Sequence, residues 1–196
     1  MVKEIALENK VIDKIGFLDD KFLRNKNKSP NNILLGTLND IYSIEIKNKY
    51  NLGFVAIGNN KLRENWQEKL LKLNYEIPNI IHSKAYVSPS ANLQNGTAIF
   101  ANAVIQSDVE IGMGCIINTS AIIDHETRIA KFTHICPGVN IAGQVSIGSN
   151  CFIGIGSSIV QNIKIGNNVT IGAGSVVLKD VPNNTKAYGS PAKIVT

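Results

Sequence analysis

Residues 99–122 read IFANAV, IQSDVE, IGMGCI, INTSAI, with an isoleucine opening every block of six. Counted outward from there, the beat runs without a gap from Ile81 through Val87, Leu93, Ile99 and Ile105 to Ile159, Ile165, Ile171 and Val177. Four places after each beat the side chain is nearly always small or β-branched, as at Ala103, Val109, Cys115, Ala121, Thr127 and Thr133. An α-helix repeats near 3.6 residues and a plain strand near 2, so a period of six with two inward positions belongs to neither as a lone element. It is the pattern of a hexapeptide-repeat parallel β-helix, in which each hexad makes one flat side and a corner, and three hexads close a triangular coil.

Such a coil takes eighteen residues, and successive coils stack at about the 4.8 Å spacing of paired strands. Residues 18 apart therefore lie one above the other, and residues 6 apart occupy equivalent places on adjacent sides. Each coil buries only an aliphatic residue and its small partner per side, so neighbouring coils must complete the core. Residues 81–177 supply between five and six coils.

A chain of 196 residues also has room for a small domain ahead of the solenoid. With 44% hydrophobic and 18% charged residues the composition is that of a globular protein. No apolar run approaches membrane-spanning length and no basic-then-apolar leader follows Met1, so the expectation is a cytoplasmic protein without membrane insertion. Cys115, Cys136 and Cys151 form no CxxC pair, and Cys115 and Cys151 fall on the small inward position. Buried free thiols in a reducing compartment are expected, not disulfides or zinc ligands. The formal charge of +5 owes most to lysines ahead of residue 85, among them Lys26, Lys28, Lys47 and Lys49. They are scattered without interleaved aromatics, which predicts a solvated surface and no nucleic-acid partner, while phosphate-bearing small molecules fit the charge.

Ahead of the repeat, strands alternate with helices. Residues 3–9 read as the end of a helix, and residues 15–18 as a short parallel strand with Asp19 and Asp20 at its carboxyl end. Residues 33–36 and 42–46 are further short elements, and residues 54–60, FVAIGNN, read as a buried strand entering a Gly-Asn turn. Residues 62–73 fit an amphipathic helix around Trp66, Leu70 and Leu71. The organisation is thus a small α/β domain over 1–79, a solenoid over 80–181 and a tail over 182–196. Ligands of small α/β sheets sit at the carboxyl ends of strands, where Asp19, Asp20 and Gly58 fall. The two acids would serve equally as a solvated turn or a helix cap.

Residues 123–128, IDHETR, place three titratable groups in succession at a turn. Histidine titrates nearest neutrality, so His125 can take up a proton and release it. Glu126 would hold one ring nitrogen protonated and leave the other as a base, and Asp124 would add negative field. In the eighteen-residue frame Ser107, His125, Gly143 and Gln161 form one column. A glycine stacked beside the base leaves room for a reacting group and bares an N–H for a developing oxyanion. The alternative is that Gly143 only permits a tight corner and His125 is a surface histidine. His134, nine residues on, projects from another part of the coil and would meet His125 only across a subunit interface. His82, His125 and His134 occupy three hexad phases and do not stack as metal ligands would, so no metal is expected. There is no Gly-x-Ser-x-Gly elbow or catalytic-cysteine signature, which argues against a covalent acyl-enzyme. A base acting on an already activated acyl donor needs none.

Taken with the hexads, the motifs Asn118-Thr119-Ser120, Asp124-His125-Glu126, Phe132-Thr133-His134, Ala142-Gly143 and the closing Gly189-Ser190-Pro191-Ala192-Lys193 resemble those of the left-handed β-helix acyltransferases. More narrowly, with residues 16–20 and 56–60, the chain resembles the sugar acetyltransferases of bacterial surface glycan biosynthesis: the UDP-4-amino-sugar N-acetyltransferases and the sialic-acid O-acetyltransferases. The resemblance implies a left-handed coil, an exception to the usual right-handed crossover, and a homotrimer with active sites between subunits. It implies acetyl-CoA as donor, a UDP-linked 4-amino-4,6-dideoxy sugar as acceptor, His125 as general base and Glu126 as the residue that orients it. Gly143 would supply the oxyanion N–H and, with His134, Ile155, Ala173 and Lys193, line the coenzyme site. Asn118 would lie near the sugar, and Asp19, Asp20 and Gly58 near the nucleotide. Members of the family usually open with a strand and a glycine-rich turn, and here Met1 begins inside what resembles the helix that follows them, so both are expected to be lacking. Two other readings remain at this point: a hexapeptide carbonic-anhydrase-like metalloenzyme, which requires stacked histidine ligands, and a non-catalytic β-helix assembly module.

Overall fold

The computed structural model describes residues 2–8, 15–20 and 33–195. Asn9, Lys26 and Lys28 lie outside the described residues. Helix α1 (Val2–Glu8) is followed by β1 (Gly16–Leu18), which pairs in parallel with β2 (Ile33–Gly36). A 3₁₀ turn at Leu38–Tyr42, α2 (Ile44–Lys49) and α3 (Asn60–Lys72) complete this region. Helix α3 starts where it does because Asn59, in extended conformation, accepts the Leu62 N–H on its side-chain oxygen at 3.0 Å.

From Ile80 onward the chain is a three-sided parallel β-helix of two-residue strands. Each strand pairs with the one eighteen residues away, as Ile122–Ile123 does with Asn140–Ile141 on one side and Val104–Ile105 on the other. The rungs form sheets of six, five and eight strands. The aliphatic beat points inward: Ile99, Ile105, Ile117, Ile123, Ile135, Ile153 and Ile171 are all fully buried. Each contributes roughly 1.5–3 kcal/mol of burial, but only because a coil lies above and below it. Where no coil lies below, the beat loses its cover, and Ile81 is 41% exposed.

Polar residues at the small position are satisfied within the stack. Thr97, Cys115, Thr133 and Cys151 stand 18 apart, and each donates to a carbonyl 15 residues ahead, Thr133 Oγ1 to Gly148 at 2.7 Å and Cys151 Sγ to Gly166 at 2.9 Å. All three cysteines are free and buried, and burial pushes the Cys115 thiol up to about 12. The corners follow an equally strict rule. From 96 to 174 every sixth residue has a positive φ, and the slot is filled by Gly, Asn or Asp except at Ser120, Glu126, Phe132 and Gln144.

Three features depart from the sequence expectations. Residues 54–57 form no strand: the ladder that joins Asn51 and Gly53 to Glu76 stops there, and the Ile57 and Gly58 carbonyls accept from the Arg63 guanidinium instead. Helix α3 buries Arg63, Gln67 and Leu70, while Leu71 is exposed, because the face it packs against offers backbone carbonyls as well as methyl groups. The coil also continues beyond Val177. Val181 bridges to Ile165 and Lys186–Tyr188 pairs in parallel with Thr170–Ile171, both at a spacing of 16 rather than 18. Two residues fewer at one corner break the count of six without breaking the stack. The chain then reverses, and Lys193–Val195 pairs antiparallel with Lys186–Tyr188.

One outward column of the eight-stranded sheet joins the two regions. Its register runs Ile80, Ala98, Ile116, His134, Phe152, Thr170. Ile5 and Ala6 of α1 pack on Ile80, Ala98 and Phe100, with Phe54 and Ile116 at the margin. The apolar lower rungs are therefore covered, and His134 is the first rung above them. A second cluster, of Val55, Leu70, Tyr75 and Ile77, holds α3 to the segments on either side of it. No helix among the described residues is long and apolar enough to cross a membrane.

Candidate active site

His125 sits at the corner that follows the strand Ile122–Ile123. Its N–H donates to its neighbour's carboxylate, Asp124 Oδ1, at 2.8 Å, and its Nδ1 lies 3.1 Å from Glu126 Oε2. Glu126 takes the left-handed corner conformation at φ +56, which turns its side chain back toward the ring. One coil on, Gln144 Nε2 donates to the same Glu126 Oε2 at 2.9 Å, and the Gln144 N–H donates to the His125 carbonyl at 2.9 Å. These contacts, the Gln144 bond first and the His125 bond second, hold the Glu126 carboxyl below the usual carboxylate range. Glu126 is thus an anion at neutral pH, Nδ1 carries the proton that faces it, and Nε2 is free to accept one.

Gly143 lies directly against that ring, since a Cβ built on it would stand 2.6 Å from His125 Cε1 and Nε2. On either side of it, Ala142 N–H donates to the Ile159 carbonyl and Gln144 N–H to that of His125, whereas Gly143 N–H meets no carbonyl among the described residues. A bare ring nitrogen and a bare N–H therefore share one corner.

The second set of expected residues lines a groove of about 460 Å3 on the eight-stranded sheet, above the covered rungs. Asn118, His134, Phe152, Ile155, Ala173 and Tyr188 form its walls, and Ile155 is 59% exposed there. Asn118 Oδ1 accepts the Thr119 N–H at 2.8 Å, which leaves its amide nitrogen facing His134 Nε2 at 3.3 Å. That arrangement makes Nε2 the acceptor and places the proton on Nδ1. Burial pushes His134 down to about 4, with the Arg63 charge adding to the effect and the Gly58 backbone partly opposing it. Nδ1 is itself buried and completes no hydrogen bond. The Phe152 ring meets the imidazole edge-on at 5.3 Å. Lys193 stands opposite Tyr188 in the antiparallel pair, at the groove's rim.

Arg63 was missed by the sequence reading, where a cation on a helix reads as solvated. It is 1% exposed. Nε donates to the Gly114 carbonyl at 2.7 Å, Nη2 to the Phe132 carbonyl at 2.9 Å and to Asn60 Oδ1 at 2.8 Å, and Nη1 to the carbonyls of Ile57 and Gly58. Burial lowers its pKa to about 10, so the guanidinium stays charged at neutral pH. Glu64 adds contacts to Asn150 Nδ2 at 2.9 Å and to Lys131 Nζ at 3.2 Å. The guanidinium fixes the Gly58 turn beside His134. A Cβ on Gly58 would meet nothing within 4 Å, so the turn faces open space. Asp20 Oδ1 accepts the Leu38 N–H at 3.0 Å and the Asp19 N–H donates to the Gly36 carbonyl, so this acidic pair ties the end of β1 to the chain leaving β2.

The structure thus assembles His125, Glu126 and Gly143 at one corner, and Asn118, His134, Ile155 and Ala173 in one groove with Gly58 and Lys193 at its margins. No hydrogen bond or ring contact among the described residues joins the two sets. A larger hollow of about 960 Å3 runs along the five-stranded sheet past Arg128, Lys131 and Lys164 and holds none of the expected residues. Among the described residues no three His, Cys, Asp or Glu side chains gather as metal ligands.

Residues 144–179 match the family described as bacterial transferase hexapeptide (six repeats), and residues 1–70 match the PglD N-terminal domain. The acetyltransferase domain of PglB from Neisseria gonorrhoeae is 34% identical over 99% of this chain and 93% of that one, with a TM-score of 0.92. A histidine-to-asparagine mutant of perosamine N-acetyltransferase from Caulobacter crescentus, in complex with CoA and GDP-perosamine, is 36% identical over 84% of this chain and 78% of that one, with a TM-score of 0.81. The chain belongs to the hexapeptide-repeat sugar acetyltransferases. Its three-sided stack is the left-handed β-helix of these acetyltransferases, an architecture shared by WeeI from Acinetobacter baumannii at 22% identity over 92% of this chain and 85% of that one, with a TM-score of 0.82.

Proposed function

We propose that this chain transfers the acetyl group of acetyl-CoA to the amino group of a nucleotide-linked sugar in glycan biosynthesis, with His125 as general base. The observation that carries the proposal is the His125 ring lying on Gly143, with its far nitrogen tied to an ionised Glu126. Two relatives support the ligands: the Caulobacter enzyme with CoA and GDP-perosamine, and the Neisseria PglB domain with acetyl-CoA, 33% identical over 99% of this chain and 92% of that one, TM-score 0.89. The groove suits a slender, mostly apolar arm, since its walls are largely carbon, with Asn118, His134, Thr170 and Tyr188 as the polar side chains among them.

His125 Nε2 takes the proton from the acceptor nitrogen as that nitrogen bonds to the thioester carbonyl carbon. Gly143 N–H donates to the oxygen on which charge develops. The carbon–sulfur bond then breaks, and His125 returns the proton to the departing thiolate. Glu126 faces the imidazolium formed in between and stabilises it without taking its proton. Asn118 and a neutral His134 offer hydrogen bonds in the groove, and Lys193 offers charge to the coenzyme's phosphates. Asp19, Asp20 and Gly58 face the nucleotide in this reading, and residues 1–79 form the acceptor domain.

His125 and the groove belong to different parts of one prism, which supports a homotrimer with sites between subunits as the working unit in this reading. A reaction that consumes acetyl-CoA and a nucleotide sugar is a cytoplasmic one in this reading. Thiol release measured with acetyl-CoA and a panel of UDP- and GDP-linked amino sugars and their hydroxyl analogues tests the assignment. His125→Ala is expected to lower turnover by about 10²- to 10⁴-fold with acetyl-CoA affinity nearly unchanged. Unaltered turnover in that variant would remove His125 as the base. Mixing His125→Ala protomers with protomers blocked in the groove by Ala173→Trp should restore activity if the sites are shared, and restores none if each chain works alone.

A further inference from the structure

The corner rule has four exceptions, and two of them touch each other. A side chain other than glycine, asparagine or aspartate at a left-handed φ costs about 1 kcal/mol, and such positions persist where the surroundings repay it. Phe132 is repaid by burial, since its ring fills the space over Gly114 and its carbonyl receives Arg63. Glu126 and Gln144 are stacked one coil apart at φ +56 and +60 and are hydrogen-bonded to each other.

We infer that Gln144 is a positioning residue for the acetyl transfer: its side-chain amide clamps Glu126 against His125, and its main-chain N–H holds the His125 carbonyl. This rests on the reading of His125 as the base. Glu126 Oε2 is the one oxygen approached by both His125 Nδ1, at 3.1 Å, and Gln144 Nε2, at 2.9 Å. A glutamate about half exposed at a corner would otherwise sample several rotamers, and most of them turn the carboxylate away from the ring. A neutral amide fixes the carboxylate without cancelling its charge, so the full negative charge still faces the imidazolium formed during transfer. A lysine or arginine at the same place would neutralise it. Asparagine would suit the backbone better but is one methylene too short to reach, so the longer amide answers to the carboxylate and not to the corner.

The two demands separate in one variant. Gln144→Asn is expected to keep or raise the thermal midpoint, lower kcat about 10-fold as loss of an orienting partner does, and leave KM for acetyl-CoA unchanged. In a Glu126→Ala background the same change should cost less than twofold, because the clamp then has nothing to hold. Gln144→Glu, of equal length but without a donor and with like charge, should lose more kcat than Gln144→Asn. Wild-type kcat in Gln144→Asn, with His125→Ala inactive, overturns the inference and leaves the base in place. A kcat loss that is fully additive with Glu126→Ala, or that tracks a fall in the thermal midpoint, also overturns it, since the role is then structural. Turnover surviving in His125→Ala would instead sink the reading on which the inference stands.

Discussion

Gly143 and His125 are in such close contact that a methyl group on the glycine would stand 2.6 Å from two ring atoms. The left-handed slot of this corner belongs to Gln144, not Gly143, so the backbone does not require glycine at 143. The absent side chain makes room for the imidazole. Gly143→Ala should therefore fold normally, with a thermal midpoint within a few degrees of the parent. Its kcat should fall about 100-fold, because a base displaced by about an ångström misses the reacting proton. Circular dichroism on the assayed sample checks both halves.

Ile155 stands on the groove wall with more than half its surface exposed, next to Ala173. A charge there would have to be desolvated by any apolar arm that enters. Ile155→Glu should raise KM for acetyl-CoA about 10-fold or more, as a mismatched pocket group does, while the His125 corner keeps its proton chemistry. Isothermal titration with CoA reads the loss directly.

Acid should destabilise this protein through His134. The folded chain protonates that ring only near pH 4, whereas an unfolded histidine does so near 6.5. Between those values the unfolded state binds more protons, so this contribution is present above 6.5 and is lost as pH falls toward 4. Its full size is up to about 3 kcal/mol, from roughly two and a half pKa units at 1.36 kcal/mol each. Urea midpoints measured from pH 7 to pH 4 should fall in the parent and fall distinctly less in His134→Gln.

Arg63 joins the Gly58 turn, α3 and two solenoid corners through one guanidinium. Arg63→Lys keeps the charge but cannot span the fork, so at least one buried carbonyl goes unpaired. The cost should be about 2–4 kcal/mol in urea unfolding. Limited proteolysis should then cut ahead of Ile80 first, because the solenoid core at Ile99 to Ile171 does not depend on the clamp.

The solenoid was legible because stacking leaves each coil no choice of phase: one missed aliphatic would open the core. The same arithmetic placed Gly143 against His125, since a separation of 18 is a contact. It failed beyond Val177, where a corner two residues shorter carries the stack to Val181 and Ala187 while the count of six lands on Asn183. Arg63 and Gln67 escaped because a periodicity argument looks for apolar faces, and here the helix docks on carbonyls. The strand expected at residues 54–57 failed for want of a pairing edge, which an apolar run does not reveal. Gln144 stands in a slot that mostly takes glycine, asparagine or aspartate. That slot became visible only once the corner dihedrals were known.

The reversed rung at Lys193–Val195 has a consequence for the molecule's life among its own copies. A stack of parallel rungs is by nature a fibre that lacks only the next unit, and an unpaired final edge would invite one. Here the eight-stranded sheet finishes on a strand running the opposite way and headed by a lysine. On this side a second prism arriving end-on meets a strand of opposite polarity, which disfavours growth along the axis.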